Sequence, residues 1–481
     1  MKQIPKQGRD KAAIFKDMEN YRSEDPDWRS GKVWSYVYHA GDEAEKVVKE
    51  AYNMFLSENG LDPTTFKSLQ RFENEVVKSV IHILEGDDKV VGNLTSGGTE
   101  SLLLAVKTAR DWARENKPNV KNPEMILPIT AHSSLFKAAH YFGVKPVMVD
   151  VKDDFTVDAE TIRKAINPDT ILIAASAPSY AHGVMDPIAE IGKMAEENNI
   201  LLHVDGCIGA FILPYIKRLG YPVPDFAFNV PGVTSISLDL HKFGYAAKGC
   251  SVIMYKNKEL RKYQLFSCTE WAGYVVVNST ALSSKTGGPI AAAWALMNFL
   301  GDEGYLQLAK DVMDAREKLI TGIKSIPELK LLGNPVMPLV AFGSDKIDIY
   351  ELTDLLKNKG WVIGAQIKKR NLPASIHLTI NKINVPQIEP FLADLQEAVK
   401  SLKGFKFGNI KEKATISATK MLAQNLDAKT FDKVIQMLGM DDGAFPDKMS
   451  TLNKLMEVLP NDFVKKMVVE FMNDLYTMEE S

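Results

Sequence analysis

His203-Val204-Asp205 closes the apolar run Ile200-Leu201-Leu202, and Ser237-Leu238-Asp239-Leu240-His241-Lys242 closes a second run, Val233-Thr234-Ser235-Ile236. Apolar runs of this length predict buried strands, so a carboxylate, Asp205, and an amine, Lys242, are expected at neighbouring strand ends. A lysine so placed can form an imine with an aldehyde, and a carboxylate can keep a ring nitrogen protonated. Those are two of the three demands that pyridoxal phosphate makes of a protein. The third is a cradle for its phosphate, which Thr95-Ser96-Gly97-Gly98-Thr99-Glu100 offers. A Ser-Gly-Gly-Thr turn entering a helix presents free backbone N–H groups and the positive end of the helix dipole. Thr99 adds a hydroxyl donor.

Each signal is weak by itself. Gly-Gly before a helix is usually a tight turn, and this one matches neither the dinucleotide pattern nor the P-loop. Asp205 alone would serve equally as a helix cap. His132, after the run Met125–Ile129, suits either a loop histidine or a ring stacked on a pyridine. Lys242 must lose its proton to act as a nucleophile, and partial burial is expected to lower its pKa. Cys207 is expected to be a small buried filler rather than a nucleophile. Specificity lies in the order: phosphate turn, imidazole, strand-end Asp, strand-end His-Lys.

The surrounding pattern alternates helix and strand from about residue 91. Leu102, Leu103, Val106, Ala109 and Trp112 recur at helical spacing over 98–116. Strands are expected at Met125–Ile129, Pro146–Val151, Thr170–Ala175, Ile200–Val204, Val233–Leu238 and Ser251–Tyr255, with helices at Asp158–Ile166 and Pro187–Asn198. That is an α/β fold, a mainly parallel sheet flanked by helices. A long helix, Pro289 to Ile326, with a break near Gly301-Asp302-Glu303-Gly304, is expected to lead into a smaller C-terminal α/β domain. Four regions result: an N-terminal arm with helices (1–90), a large domain with its linker helix (91–326), a small domain (327–402) and a helical tail (403–481). In the tail, Asp441-Asp442-Gly443 and Phe445-Pro446 carry turn chemistry.

A chain of 481 residues exceeds one ordinary core. Its 45% hydrophobic and 25% charged content is that of a globular protein, and a net charge of −3 without a basic stripe argues against nucleic acid. Three cysteines without paired spacing fit a reducing compartment, and no metal site is read. No leader and no membrane-length apolar run is seen, so a cytoplasmic enzyme without a membrane anchor is expected.

The stretches TSGGTESLLLAVKTARD (95–111), HSSLFKAAHYFGVKP (132–146), HVDGCIGAFILP (203–214) and VTSISLDLHKFGYAAKGCSVIMY (233–255) resemble the group II pyridoxal-phosphate decarboxylase family. Within it the block His241–Gly249 resembles the sphingosine-1-phosphate lyase branch. The likeness runs over about 30–400. It implies the fold type I architecture of pyridoxal-phosphate-dependent transferases and a homodimer with its active site at the subunit interface. By position it implies that Lys242 forms the Schiff base, Asp205 pairs with the ring nitrogen and His132 stacks on the ring. Gly97, Gly98, Thr99 and His241 would hold the cofactor phosphate, with Ser284 reaching across from the partner subunit. Tyr38 and Lys248 would hold a substrate phosphate, and Tyr180 would lie near the reacting carbon.

Three departures bear on the substrate. The branch's Asn-Pro-Leu-His-Pro loop is here Asn59-Gly60-Leu61-Asp62-Pro63, which sets a carboxylate where a phosphate is expected. Trp34, Ser35 and Tyr36 replace small residues and are expected to narrow the entrance. Lys285 stands where an arginine is usual, keeping charge but losing a bidentate fork. The leading expectation is a retro-aldol carbon–carbon lyase acting on a small-molecule amine, a phosphorylated sphingoid-base-like amino alcohol. Lys242, Lys248 or Tyr180 would move the protons, and the spacing does not rank them. The alternatives are an α-decarboxylase of an L-amino acid, which Asp62 would suit, and a non-catalytic homologue kept as a scaffold.

Overall fold

The computed structural model describes residues 4–403 and 448–477. Its centre is a seven-stranded sheet of β1 (Val91–Thr95), β2 (Glu124–Pro128), β3 (Lys145–Val149), β4 (Thr170–Ser176), β5 (Leu201–Asp205), β6 (Val233–Leu238) and β7 (Ser251–Tyr255), in the order β1-β7-β6-β5-β4-β2-β3. Strands β2 to β6 pair in parallel, while β7 runs antiparallel to both β6 and β1. Every residue of β2, β4, β5, β6 and β7 is buried, as the unbroken apolar runs require of strands covered on both faces.

Two antiparallel steps restore direction, so β1 points the same way as β6. The turn after Thr95, the end of β5 at Asp205 and the end of β6 at Leu238 therefore share one edge of the sheet. Cys250 and Ser251 enter β7 at that same edge. Strand β1 was not expected, because Val91-Gly92-Asn93-Leu94-Thr95 has no apolar run. Its glycine is needed there: a Cβ on Gly92 would sit 2.6 Å from the Ile253 carbonyl oxygen.

The Gly98–Asn116 helix has the span that the periodicity predicts. The Gly287–Lys324 helix breaks at Gly301 (φ 60°, ψ −176°), within the expected interruption. A short hairpin, β8 (Phe266–Cys268) with β9 (Val276–Asn278), precedes that helix, and a four-stranded antiparallel sheet follows it. That sheet comprises β10 (Lys330–Leu332), β11 (Leu339–Gly343), β12 (Gly364–Gln366) and β13 (Ser375–Thr379), ordered β10-β11-β13-β12.

Trp34 corrects one expectation. It does not narrow an entrance; it is wholly buried (0% exposed) in the second core, against Trp361 and Phe391. Its backbone N–H donates to Val362 O, and its carbonyl accepts from Thr379 N. Residues near 34 thus pack with the small sheet although they lie far away in the chain.

The helices Met449–Val458 and Asn461–Leu475 bury Leu452, Leu455, Phe463 and Met467 against each other. Lys454 ties the first of them to Asp348 (2.7 Å) and Glu351 (3.2 Å) beside the Ile349–Asn358 helix. Asp441-Asp442-Gly443 and Phe445-Pro446 lie outside the described residues.

Candidate active site

The shared sheet edge collects the chemistry-bearing residues. Asp205 is 7% exposed, and its Oδ1 accepts from Cys207 N (3.1 Å) and Ser237 Oγ (3.4 Å). Both bonds fall on one oxygen, leaving Oδ2 to meet a cationic N–H. Below it, buried His203 bonds Ser235 Oγ (2.9 Å) and Ser237 Oγ (3.3 Å), and burial pulls its pKa down to about 4. His203 is therefore a neutral support near neutral pH.

Lys242 sits one turn beyond Asp239, and its Nζ lies 2.7 Å from Asp239 Oδ2. Asp239 was not assigned a role from the sequence. Only 2% exposed, it also accepts from Ser251 Oγ at 2.6 Å. Its presence overturns the expectation of a depressed lysine pKa. Burial does pull the amine down, but the Asp239 carboxylate, reinforced by Cys207, Tyr38 and the hydrogen bond itself, leaves it above the usual lysine value. Asp239 is correspondingly held below the usual carboxylate range: burial opposes this, and Lys242, His241 and the Ser251 bond outweigh burial.

The glycine turn lies against this pair. A Cβ on Gly98 would come within 2.8 Å of both Asp239 carboxylate oxygens and of Cys207 Sγ, so glycine is required. A Cβ on Gly97 would meet only His241 Cε1, at 3.9 Å. Thr99 Oγ1 shares a hydrogen bond with Ser134 Oγ (2.8 Å), which bonds His132 Nδ1 (3.0 Å). Nδ1 also accepts from Ser134 N (3.2 Å), so His132 caps its helix and carries any single ring proton on Nε2. His241 Nδ1 faces the Cys250 carbonyl (3.0 Å), and burial lowers its pKa. Glu100 was also missed. Its two oxygens accept from Ser96 N (2.6 Å) and Ala281 N (2.7 Å), fastening the turn to the 280s segment. Cys207 is the buried filler expected, its thiol pKa raised well above normal by burial.

Tyr38, Tyr180 and Lys248 cover this edge. Lys248 Nζ lies 5.1 Å from the centre of the Tyr38 ring and donates to His241 O (3.2 Å). Desolvation, with Lys242 nearby, lowers its pKa to about 8. Burial raises the Tyr38 and Tyr180 phenols, so both stay protonated through neutral pH. Tyr180 packs tilted, at 36° and 4.2 Å between ring centres, against His377, a buried β13 residue that sequence reasoning did not single out. Tyr36 is 78% exposed.

Among the described residues neither Asp62 nor Ser284 bonds Lys242, although Ser284 lines a small cleft with Thr95, Ser96 and Glu100 beside the glycine turn. Asp62 is exposed, and its Oδ1 takes up Thr64 N (2.8 Å) and Thr64 Oγ1 (2.6 Å). It lines a cavity of about 750 Å³ with Glu73, Asn93, Ser283 and Lys285. Ser284 Oγ bonds Asn59 (3.4 Å), and Gly60 N donates to Lys285 O (2.7 Å), so the 59–63 loop and Ser284 form one surface unit. Lys285 regains two contacts in place of the lost fork, meeting Glu73 at 2.6 and 2.7 Å.

The donor set fits pyridoxal phosphate: an amine, a buried carboxylate, and a Gly-Gly turn whose backbone N–H groups open the N-terminus of a 19-residue helix. The fold is that of the fold type I pyridoxal-phosphate-dependent enzymes. The model of the pyridoxal-dependent decarboxylase conserved domain matches residues 2–344, and the chain belongs to that family. It is a pyridoxal-phosphate-dependent lyase. A further model, of a C-terminal domain of pyridoxal-dependent enzymes, matches residues 414–474. The chain is 43% identical to the sphingosine-1-phosphate lyase of Arabidopsis thaliana over 398 residues, 81% of this chain and 72% of that protein. The solved sphingosine-1-phosphate lyase of Burkholderia pseudomallei superposes with a TM-score of 0.80 at 33% identity, covering 89% of this chain and 98% of that one. The L-aspartate decarboxylase of Thermococcus kodakarensis is 32% identical, over 83% of this chain and 100% of its own length.

Proposed function

We propose that this chain cleaves the carbon–carbon bond between the amine- and hydroxyl-bearing carbons of a phosphorylated sphingoid-type amino alcohol. The products would be a long-chain aldehyde and phosphoethanolamine. The observation that carries this reading is the Tyr38–Lys248 pair standing over Lys242, which gives a phosphate two donors beside an imine-forming amine. Identity to several sphingosine-1-phosphate lyases supports it.

Lys242 would hold the cofactor through its amine, Asp205 its ring nitrogen, and His132 the ring face. Gly97, Gly98, Thr99 and His241, with Ser284 of a second subunit, would hold its phosphate. Bound pyridoxal phosphate supplies a sink for the electron pair of the broken bond. Cleavage requires one proton to leave the substrate hydroxyl and one to return to the amine-bearing carbon. Lys248, with a pKa of about 8, exists in both forms near neutral pH and can take or give that proton. Tyr38 and Tyr180 can only donate there, since their phenols stay protonated. Of the candidates that the sequence left equal, this favours Lys248 over Tyr180.

We also propose a homodimer. Exposed Phe266, Trp271, Tyr274, Val275, Val277 and Leu282, on and after the β8–β9 hairpin, support it as an apolar face beside Ser284. Free cysteines support a reducing, cytoplasmic setting. Among the described residues no helix is long and apolar enough to cross a membrane.

A second reading, α-decarboxylation of an L-amino acid, draws on the full-length match to the Thermococcus enzyme. One assay separates the two. The holoenzyme is given dihydrosphingosine 1-phosphate beside a panel of L-amino acids, and aldehyde and carbon dioxide are measured separately. Aldehyde from the phosphorylated base alone supports the lyase; carbon dioxide from an amino acid without aldehyde overturns it.

A further inference from the structure

We propose that Asp239 is a positioning residue that holds the Lys242 amine as an ammonium, against the phosphate turn, whenever that amine is not joined to the cofactor. The inference rests on Lys242 being the cofactor lysine.

The geometry is that of a built pair. One turn of chain brings the two side chains together: Lys242 N donates to Asp239 O (3.4 Å) and Tyr245 N to Lys242 O (2.9 Å). The carboxylate is fixed from other elements as well. Ser251 Oγ, at the start of β7, donates to Oδ1, and the Asp239 backbone N–H donates to Cys207 O (3.2 Å). Gly98 approaches both carboxylate oxygens so closely that no Cβ fits, and the 19-residue helix starting there turns its positive end toward an anion. The groups facing Asp239 are Lys242 at 2.7 Å, His241 Nε2 at 3.7 Å, Ser251, the Cys207 and Cys250 thiols and the Tyr38 phenol, with Lys248 farther out. Among the described residues Asp239 is the carboxylate that ion-pairs with Lys242, and Asp205 is not.

A buried ammonium without this partner would be costly, and a buried carboxylate without the lysine equally so. Asp239 therefore gives the lysine a defined resting place each time a substrate amine displaces it. The protons surrendered by the incoming substrate ammonium are taken up by the departing lysine, so charge is conserved across the exchange. The raised lysine pKa agrees with this geometry.

The test reads lysine protonation rather than turnover. Cofactor is stripped from the full chain, and the rate of Lys242 acetylation by acetic anhydride is followed against pH by peptide mass spectrometry. In the wild type the Lys242 midpoint should lie above those of exposed lysines. Asp239→Asn should lower it by at least one unit, about a tenfold faster reaction at pH 8. Asp239→Glu should restore most of the shift, and Ser251→Ala should lower the midpoint by a smaller step. An unchanged midpoint in folded Asp239→Asn overturns the proposal. So does a wild-type midpoint below the exposed lysines, which needs no variant to fold. Borohydride reduction of the holoenzyme is read independently: cofactor found on another lysine would sink the Lys242 assignment whatever the midpoints.

Discussion

The two halves of the site are built differently. The proposed cofactor half stands on strand ends of a buried sheet, where Asp205, Asp239 and Ser96 of the glycine turn are fixed by hydrogen bonds to Cys207 N, Ser251 and Glu100. The proposed substrate half consists of loop residues. Tyr180 is 40% exposed, Asp62 and Lys248 are exposed, and Tyr38 leans on Phe243 at 5.2 Å. Rigid strands hold the chemistry common to a large family, and loops can change what that chemistry acts on. Substitutions in the first half should accordingly cost turnover with any substrate, and those in the second should redistribute preference among substrates.

The sharpest break of that contrast is Lys242→Ala. It should abolish turnover with every substrate, and also the visible absorbance of lysine-bound cofactor, while circular dichroism keeps the wild-type shape and the melting temperature falls because buried Asp239 loses its partner. Retained turnover would remove the assignment. Asp205→Ala should come next, at about 10²–10³-fold in kcat, because a buried counter-charge is lost where charge develops. An equal loss for all substrates is expected, and a loss confined to one substrate would place Asp205 in the other half.

Lys248 gives a smaller and pH-dependent effect. If its ammonium binds the substrate phosphate, kcat/KM for a phosphorylated substrate should fall as pH rises through about 8, where the charge is lost. Lys248→Arg should flatten that limb, since arginine stays charged. A limb that rises through the same pH would assign Lys248 to proton removal instead. Asp62→His should have the mildest effect, a several-fold lower KM for the phosphorylated substrate, on the order of 1 kcal/mol. No change in KM would mean that the 59–63 loop does not meet the phosphate.

Legibility in the sequence followed the same division. Strand ends that carry Asp205 and Lys242 were readable because buried parallel strands leave unbroken apolar runs. The Gly98–Asn116 helix and the break at Gly301 were readable because periodicity and glycine act locally. Asp239 was overlooked although it lies within the most informative stretch. Its partners, Ser251 and Gly98, come from β7 and from the turn after β1, a strand with no apolar signature. Trp34 was misjudged for a similar reason, its neighbours lying more than 300 positions away at Trp361 and Phe391. His377 became visible only where β13 meets Tyr180.

By itself the amino-acid order determined which elements form and which cofactor the chain is equipped to take, since both depend on residues close together along the backbone. Tertiary structure alone decided how deeply the Asp239–Lys242 pair is buried and that Ser251 and Gly98 close on the Asp239 carboxylate. Those outcomes depend on which strands and turns the sheet order sets side by side, and that is not defined until the chain has folded.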